Sequence, residues 1–291
     1  MADDKHPLDV VSNLKDRARR PAALATIREL ADEKLLAGRD LTEFTAENPG
    51  RGPLFAPTPR ELNQHQDGLS RKATYVARCK SLDAARTVGA EPSVDERVLV
   101  SDYSRRLVDE VAPQVQVEVR RSARVVDGAV SVRAKDDLGL LDKVARMAEG
   151  IDGRPGRPKY QVGDAIDAVG ARIVVPDTVR LEHLVSEVKD RFGTGDGGRI
   201  LEMENMYSDP KPHNPSYRVV PFIIAVEVAG MPYTFELQVC TWRSSIASDL
   251  EHNTVYKPHI RPTPGEQEKV RRMQAEAAAL DQDETRSRWH V

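Results

Sequence analysis

The chain has 291 residues, of which 31% are charged and 5% aromatic, and its formal net charge is −3. That length allows one large domain or two small ones with a sizeable core, and the charge balance excludes a dedicated nucleic-acid coat. Two cysteines, Cys79 and Cys240, exclude a disulfide framework, and no apolar run reaches the ~20 residues that cross a bilayer. The start, Met1-Ala-Asp-Asp-Lys5, is too acidic and polar for a secretory leader, so a cytoplasmic location is expected.

Residues 8–36 are rich in Ala, Leu, Arg and Glu and predict two short helices, 8–19 and 22–36, broken at Pro21. Gly and Pro crowd the segment 48–59, which reads as a linker or long loop. Residues 60–88 have helical propensity, with too few apolar side chains for a core. The expected organisation is therefore a helical N-terminal extension with linker over 1–90, a folded domain over 91–262 and a C-terminal helix over 263–291.

Ser93 with Glu96 predicts a capping box opening a helix that runs to about Val111, ahead of Pro113. Val115, Val117 and Val119 alternate with polar residues and predict a strand. Val125-Val126 and Val130–Val132 flank Asp127-Gly128 and predict a strand pair. Asp137 is placed to cap a helix over 138–149 that Gly150 closes. Ile173-Val174-Val175 reads as a buried strand. Leu181, Leu184, Val185, Val188 and Phe192 then form a helical stripe behind Asp177 or Thr178. A short strand near Ile200, a hairpin of 219–228 and 233–241, a helix over 243–255 and a last, solvated helix over 266–280 complete the pattern. Alternating strands and helices with one hairpin predict an α/β (α+β) fold, a mixed β-sheet flanked by helices.

In Phe235-Glu-Leu-Gln-Val-Cys-Thr241, Phe235, Leu237 and Val239 take one face of a strand and Glu236 and Gln238 the other. A carboxylate beside an amide on a rigid strand can orient or deprotonate a hydroxyl; the same pattern also suits a solvated strand face. Arg133, Lys135 and Lys143 straddle a strand end and the first turns of a helix. Cations there favour a polyphosphate, although a solvated basic face reads the same way. Asp167 stands before Gly170-Ala-Arg-Ile-Val-Val175, where a carboxylate can hold Mg²⁺ or merely cap a turn. Tyr217 can offer its ring to a base or fill a sheet edge.

Taken in order, these segments resemble the RelA/SpoT-type alarmone synthetase family over roughly 130–257. The matches are Arg133-Ala-Lys135 with Lys143, Asp167-Ala-Val-Gly170-Ala-Arg172-Ile173, Glu236-Leu-Gln238-Val-Cys-Thr241, and Glu251-His252-Asn-Thr-Val-Tyr256-Lys257. The resemblance implies a nucleotidyltransferase-like fold with Mg²⁺ as cofactor. It implies transfer of the β,γ-pyrophosphate of ATP to the 3′-hydroxyl of GDP or GTP, making (p)ppGpp. Residues implied for ATP are Arg133, Lys135, Lys143 and Arg172. Those implied for the acceptor are Tyr217, Gln238, His252 and Lys257. Asp167 and Glu236 are the implied catalytic carboxylates and metal contacts, Glu236 as base or as second ligand.

Ser216-Tyr-Arg-Val-Val-Pro221 lacks the serine and histidine that the family carries after its stacking tyrosine, and Cys240 stands where an arginine is common. An adenine nucleotide or the tRNA 3′ end thus stays open as acceptor, and so does a silent nucleotide-binding scaffold. The basic run Arg120-Arg-Ser-Ala-Arg124, with Arg154, Arg157 and Lys159, could meet tRNA phosphates or be a solvated face. With no His-Asp hydrolase pair, the chain reads as a short, synthetase-only member, and a homo-oligomer is open.

Overall fold

The computed structural model describes Leu54 and residues 66–150, 155–194, 197–211, 214–254 and 263–288. The helices expected at 8–19 and 22–36 lie outside those residues, as does the 48–59 linker apart from Leu54.

The described chain opens with α1 (Gln66–Ser81) and a 3₁₀ turn, Ala84–Thr87. α2 (Val94–Arg106) starts at the expected capping box: Ser93 Oγ accepts from the Glu96 N–H, and the Glu96 carboxylate accepts from the Ser93 N–H. The helix does not stop before Pro113. A π turn, Leu107–Val111, leads directly into α3 (Ala112–Arg124), so the strand expected at Val115–Val119 is helix. Val115 and Val119 are buried and Val117 is half exposed, because residues four apart share a face of either element. Pro113 falls in the first turn of α3, where its missing N–H costs nothing. Val125 and Val126 belong to the turn that follows, not to a strand.

β1 (Ala129–Ala134), β2 (Val169–Val175), β3 (Ile200–Met203), β4 (Val220–Val228) and β5 (Met231–Thr241) form one sheet in the order β1-β2-β5-β4-β3. β2 and β5 are parallel and the other neighbours antiparallel, so the mixed sheet flanked by helices is present. α4 (Asp137–Glu149) follows β1 and is capped by Asp136, one residue before the expected Asp137. α5 (Thr178–Phe192) joins β2 to β3, capped by Asp177 and ended at Gly193. The β4–β5 hairpin turns on Ala229 and Gly230, both at positive φ, the backbone that a two-residue hairpin loop demands.

The sheet has two unlike faces. Val169, Ala171, Ile173, Phe222, Ile224, Phe235, Leu237 and Val239 pack under α3 and α5, and Phe192 of α5 meets Phe235 edge-on at 6.1 Å. Each such buried side chain contributes about 1.5–3 kcal/mol, so this layer holds the sheet flat side down on its helices. On the other face, α1 sits over Leu201, Ile223 and Ala225 through Tyr75. α6 (Trp242–Thr254) lies across the C-terminal ends of β2 and β5.

Two expectations about the chain's flanks fail. Cys79, Ala85 and Val88 are buried, so part of 60–88 does enter the core. α7 (Pro264–Arg288) is not solvated: Met273, Ala277, Ala278, Ala279 and Asp281 are buried. It packs on α6 and α5, with polar groups answered by partners across the seam.

Candidate active site

The polar face of the sheet is built by strand register. Arg133 pairs with Gly170, and Gly170 with Glu236, in a row across β1, β2 and β5. The next row is Ser131, Arg172 and Gln238. Because side chains alternate, both rows point away from the α3–α5 layer. Arg133 lies over Gly170, its Nε 3.6 Å from where a Cβ would stand, which is ordinary van der Waals contact. Arg133 is exposed, and Glu236 half-buried.

Asp167, just before β2, is gripped by two lysines from separate elements. Its Oδ2 accepts from Lys135 Nζ at 3.0 Å and its Oδ1 from Lys143 Nζ at 2.5 Å. Lys135 also donates to the Asp167 carbonyl at 2.8 Å. Lys143 comes from the second turn of α4, so the Asp136 cap that fixes where this helix starts also sets where that ammonium arrives. Burial alone would raise the pKa of Asp167; the two lysines outweigh it and bring the carboxyl down to about 2. Burial pulls the pKa of Lys135 down, against the pull of Asp167.

Glu236 shifts the opposite way. Burial raises its pKa first and the charge of Asp167 adds to that, with Lys135, Lys143 and Arg133 opposing. The two carboxylates therefore share one electrostatic neighbourhood with three cations, as the sequence expects of Arg133, Lys135, Lys143, Asp167 and Glu236. Gln238 Nε2 donates to Glu236 Oε2 at 3.0 Å.

Arg172 is placed beside Gln238 and α6. Its Nη2 and Nε donate to Gln238 Oε1 at 2.9 and 3.3 Å, and its Nη1 to Asp249 Oδ1 at 2.9 Å and Ser245 Oγ at 3.2 Å. Ser245 and Asp249, four residues apart on α6, are given no role by the sequence; a polar i, i+4 pair on a helix beside the Glu-x-Gln strand is the signal that could have found it. Tyr217 stands before β4 in the fields of Arg172, Glu236 and Glu251; burial pushes its hydroxyl pKa up and Arg172 pulls against it. Glu251 is held from both sides, by Asn214 Nδ2 at 3.1 Å and by Gln274 Nε2 of α7 at 2.7 Å. His252 falls within α6, and Tyr256 and Lys257 lie outside the described residues. Cys240 is buried under α6, and Arg120, Arg121 and Arg124 are exposed on α3, the helix on the opposite face of the sheet.

Among the described residues no three His, Cys, Asp or Glu side chains gather to cage a metal. Two carboxylates in one neighbourhood suit a different ion chemistry: Mg²⁺ binds through one or two carboxylates and completes its shell with water and substrate phosphates. The donor set of Asp167 and Glu236 fits that requirement.

No family model matches the sequence, and no curated protein matches it. Among solved structures the chain is similar to the small alarmone synthetase 1 from Bacillus subtilis, at 16% identity and a TM-score of 0.48, over 64% of this chain and 96% of that one. It is also similar to a GTP pyrophosphokinase family protein from Streptococcus pneumoniae, at 18% identity and a TM-score of 0.45, over 64% of this chain and 94% of that one. A third likeness is to the small alarmone synthetase 2 from Bacillus subtilis, at 17% identity and a TM-score of 0.44, over 68% of this chain and 99% of that one.

Proposed function

We propose that the chain is an ATP pyrophosphotransferase that moves the β,γ-pyrophosphate of ATP to the 3′-hydroxyl of GDP or GTP. The observation that carries this reading is the Lys135–Asp167–Lys143 clasp standing in the same field as Glu236 and Arg133. A carboxylate pair walled by three cations and partly open to solvent suits a polyphosphate better than any neutral substrate. The order of motifs that resembles the alarmone synthetases supports the same reading.

In this reaction Arg133, Lys135 and Lys143 neutralise the donor phosphates and hold the β-phosphorus in line with the incoming oxygen. Asp167 and Glu236 would hold Mg²⁺, which when bound supplies charge neutralisation on the phosphate oxygens. Glu236 takes the proton of the acceptor 3′-hydroxyl. A bond forms between that oxygen and the β-phosphorus, the bond from the β-phosphorus to the α–β bridging oxygen breaks, and AMP leaves. The raised pKa of Glu236 suits a base that must be ionised yet able to accept a proton. Tyr217 and the neighbouring α6 residues would receive the acceptor base.

The test is an acceptor scan. ATP labelled in the γ position is incubated with Mg²⁺ and, separately, with GDP, GTP, ADP and deacylated tRNA. Label on the guanine nucleotides with AMP released in equal amount is the expected outcome. Label on ADP or on tRNA alone would replace the acceptor, and label on none would reject the reading.

A further inference from the structure

Four hydrogen bonds leave the Arg172 guanidinium, two to Gln238 Oε1 and one each to Ser245 and Asp249 of α6. A guanidinium has five N–H donors and no acceptor, so a side chain engaged in this way has little left for a phosphate. Its partners also settle the orientation of an amide. Because arginine can only donate, the oxygen of Gln238 must face Arg172, and the Gln238 NH₂ must face the other way. What stands there is Glu236 Oε2, an acceptor, at 3.0 Å. Donor and acceptor roles thus run without a break from Asp249 through Arg172 and Gln238 to Glu236. Strand register supports the chain, since Arg172 lies directly opposite Gln238 across the parallel β2–β5 pair.

Asp249 is the outer anchor of this chain. It and Arg172 are nearly equally enclosed, with side chains 15% and 14% exposed, so their pairing is little screened by solvent. Without it the guanidinium would keep its bonds to Gln238 but lose the charge that fixes its plane. We infer that Asp249 and Arg172 are positioning residues, which act through the Gln238 amide to hold the Glu236 carboxylate in line with the acceptor hydroxyl. One Glu236 oxygen is thereby engaged by Gln238, which leaves the other for the acceptor hydroxyl and the metal ion. This inference rests on the pyrophosphotransfer reading, and it moves Arg172 from the ATP contacts to the support of the base.

Two variants test it. Asp249→Asn keeps the shape of the side chain and removes its charge. Its kcat for AMP release should fall about 10- to 100-fold with the KM for ATP within about twofold, and Asp249→Glu should recover part of the loss. Gln238→Glu keeps an oxygen for Arg172 but removes the N–H that faces Glu236, so the same loss of kcat is expected should Asp249→Asn fail to fold. A raised KM for ATP with kcat unchanged would return Arg172 to the donor side and overturn the inference, as would wild-type kinetics in both variants. A second readout needs no turnover: the Gln238 side-chain amide signals, assigned by their loss in Gln238→Glu, should exchange slowly with solvent in the wild type and quickly in Asp249→Asn. If the wild type makes no AMP with any acceptor, the functional reading fails while the amide exchange still decides the positioning; equal exchange in the two proteins overturns it.

Discussion

Arg243 Nε donates to Asp281 Oδ1 at 2.7 Å, tying the first turn of α6 to the last turns of α7. Asp281 is fully buried and also accepts from Thr241 Oγ1 at 2.8 Å and Ser244 Oγ at 3.1 Å. Burial drives its pKa up, against Arg243 and these hydroxyls. The carboxylate sits where β5 ends and the helix bearing Ser245, Asp249 and Glu251 begins. Removing Arg243 would leave a buried charge without its counterion. Arg243→Ala is therefore expected to cost about 3–5 kcal/mol, and to lower the Tm by roughly 10 °C, read by calorimetry. An unchanged Tm would show that α7 is not anchored there.

The Asp167 clasp predicts a pH signature in stability. Its carboxyl is held at about 2, below its ordinary value, so the ionised form is worth on the order of 2 kcal/mol in the folded state. That contribution is fully present above the unfolded value near pH 4 and is lost as the pH falls through about 2. Urea unfolding of the wild type should weaken across this window, and Asp167→Asn should be weaker at neutral pH with a flatter profile below about pH 4. Parallel profiles would contradict the clasp.

Arg86 offers a control far from the carboxylates. It is 2% exposed, with its guanidinium carbon 5.2 and 4.5 Å from the ring centroids of Tyr103 and Tyr233 and its Nη1 donating to the Pro232 carbonyl at 2.7 Å. A lysine has no planar guanidinium to place there, so Arg86→Lys is expected to cost about 1–3 kcal/mol of stability. AMP release per folded molecule should stay at the wild-type level. Loss of activity without loss of stability would assign Arg86 a role that its burial argues against.

The candidate site was more legible than the helices around it. Alternation in Phe235–Thr241 placed Glu236 and Gln238 on one face because that strand has one buried side, and the register then lined them up with Gly170 and Arg172. Capping chemistry located the starts of α2 and α5, since Ser93 and Asp177 accept from first-turn N–H groups that have no partner within the helix. Val115 to Val119 misled, because valines at i and i+4 satisfy both a strand and a helix, and Pro113 hid inside a first turn. α7 was hard to read for another reason: beside Val270 and Met273 its buried seam is made of alanines and of polar groups matched by α6, so its apolar stripe is thin. The pairing of Asp249 was not legible because its partner Arg172 is 77 residues away in sequence.

The central claim, that Glu236 accepts the proton of the attacking hydroxyl beside the Asp167 clasp, is tested most directly by single-turnover AMP release in Glu236→Gln. The variant should bind ATP with nearly wild-type affinity and release AMP about 10²- to 10⁴-fold more slowly with the preferred acceptor. AMP release at the wild-type rate would contradict the account.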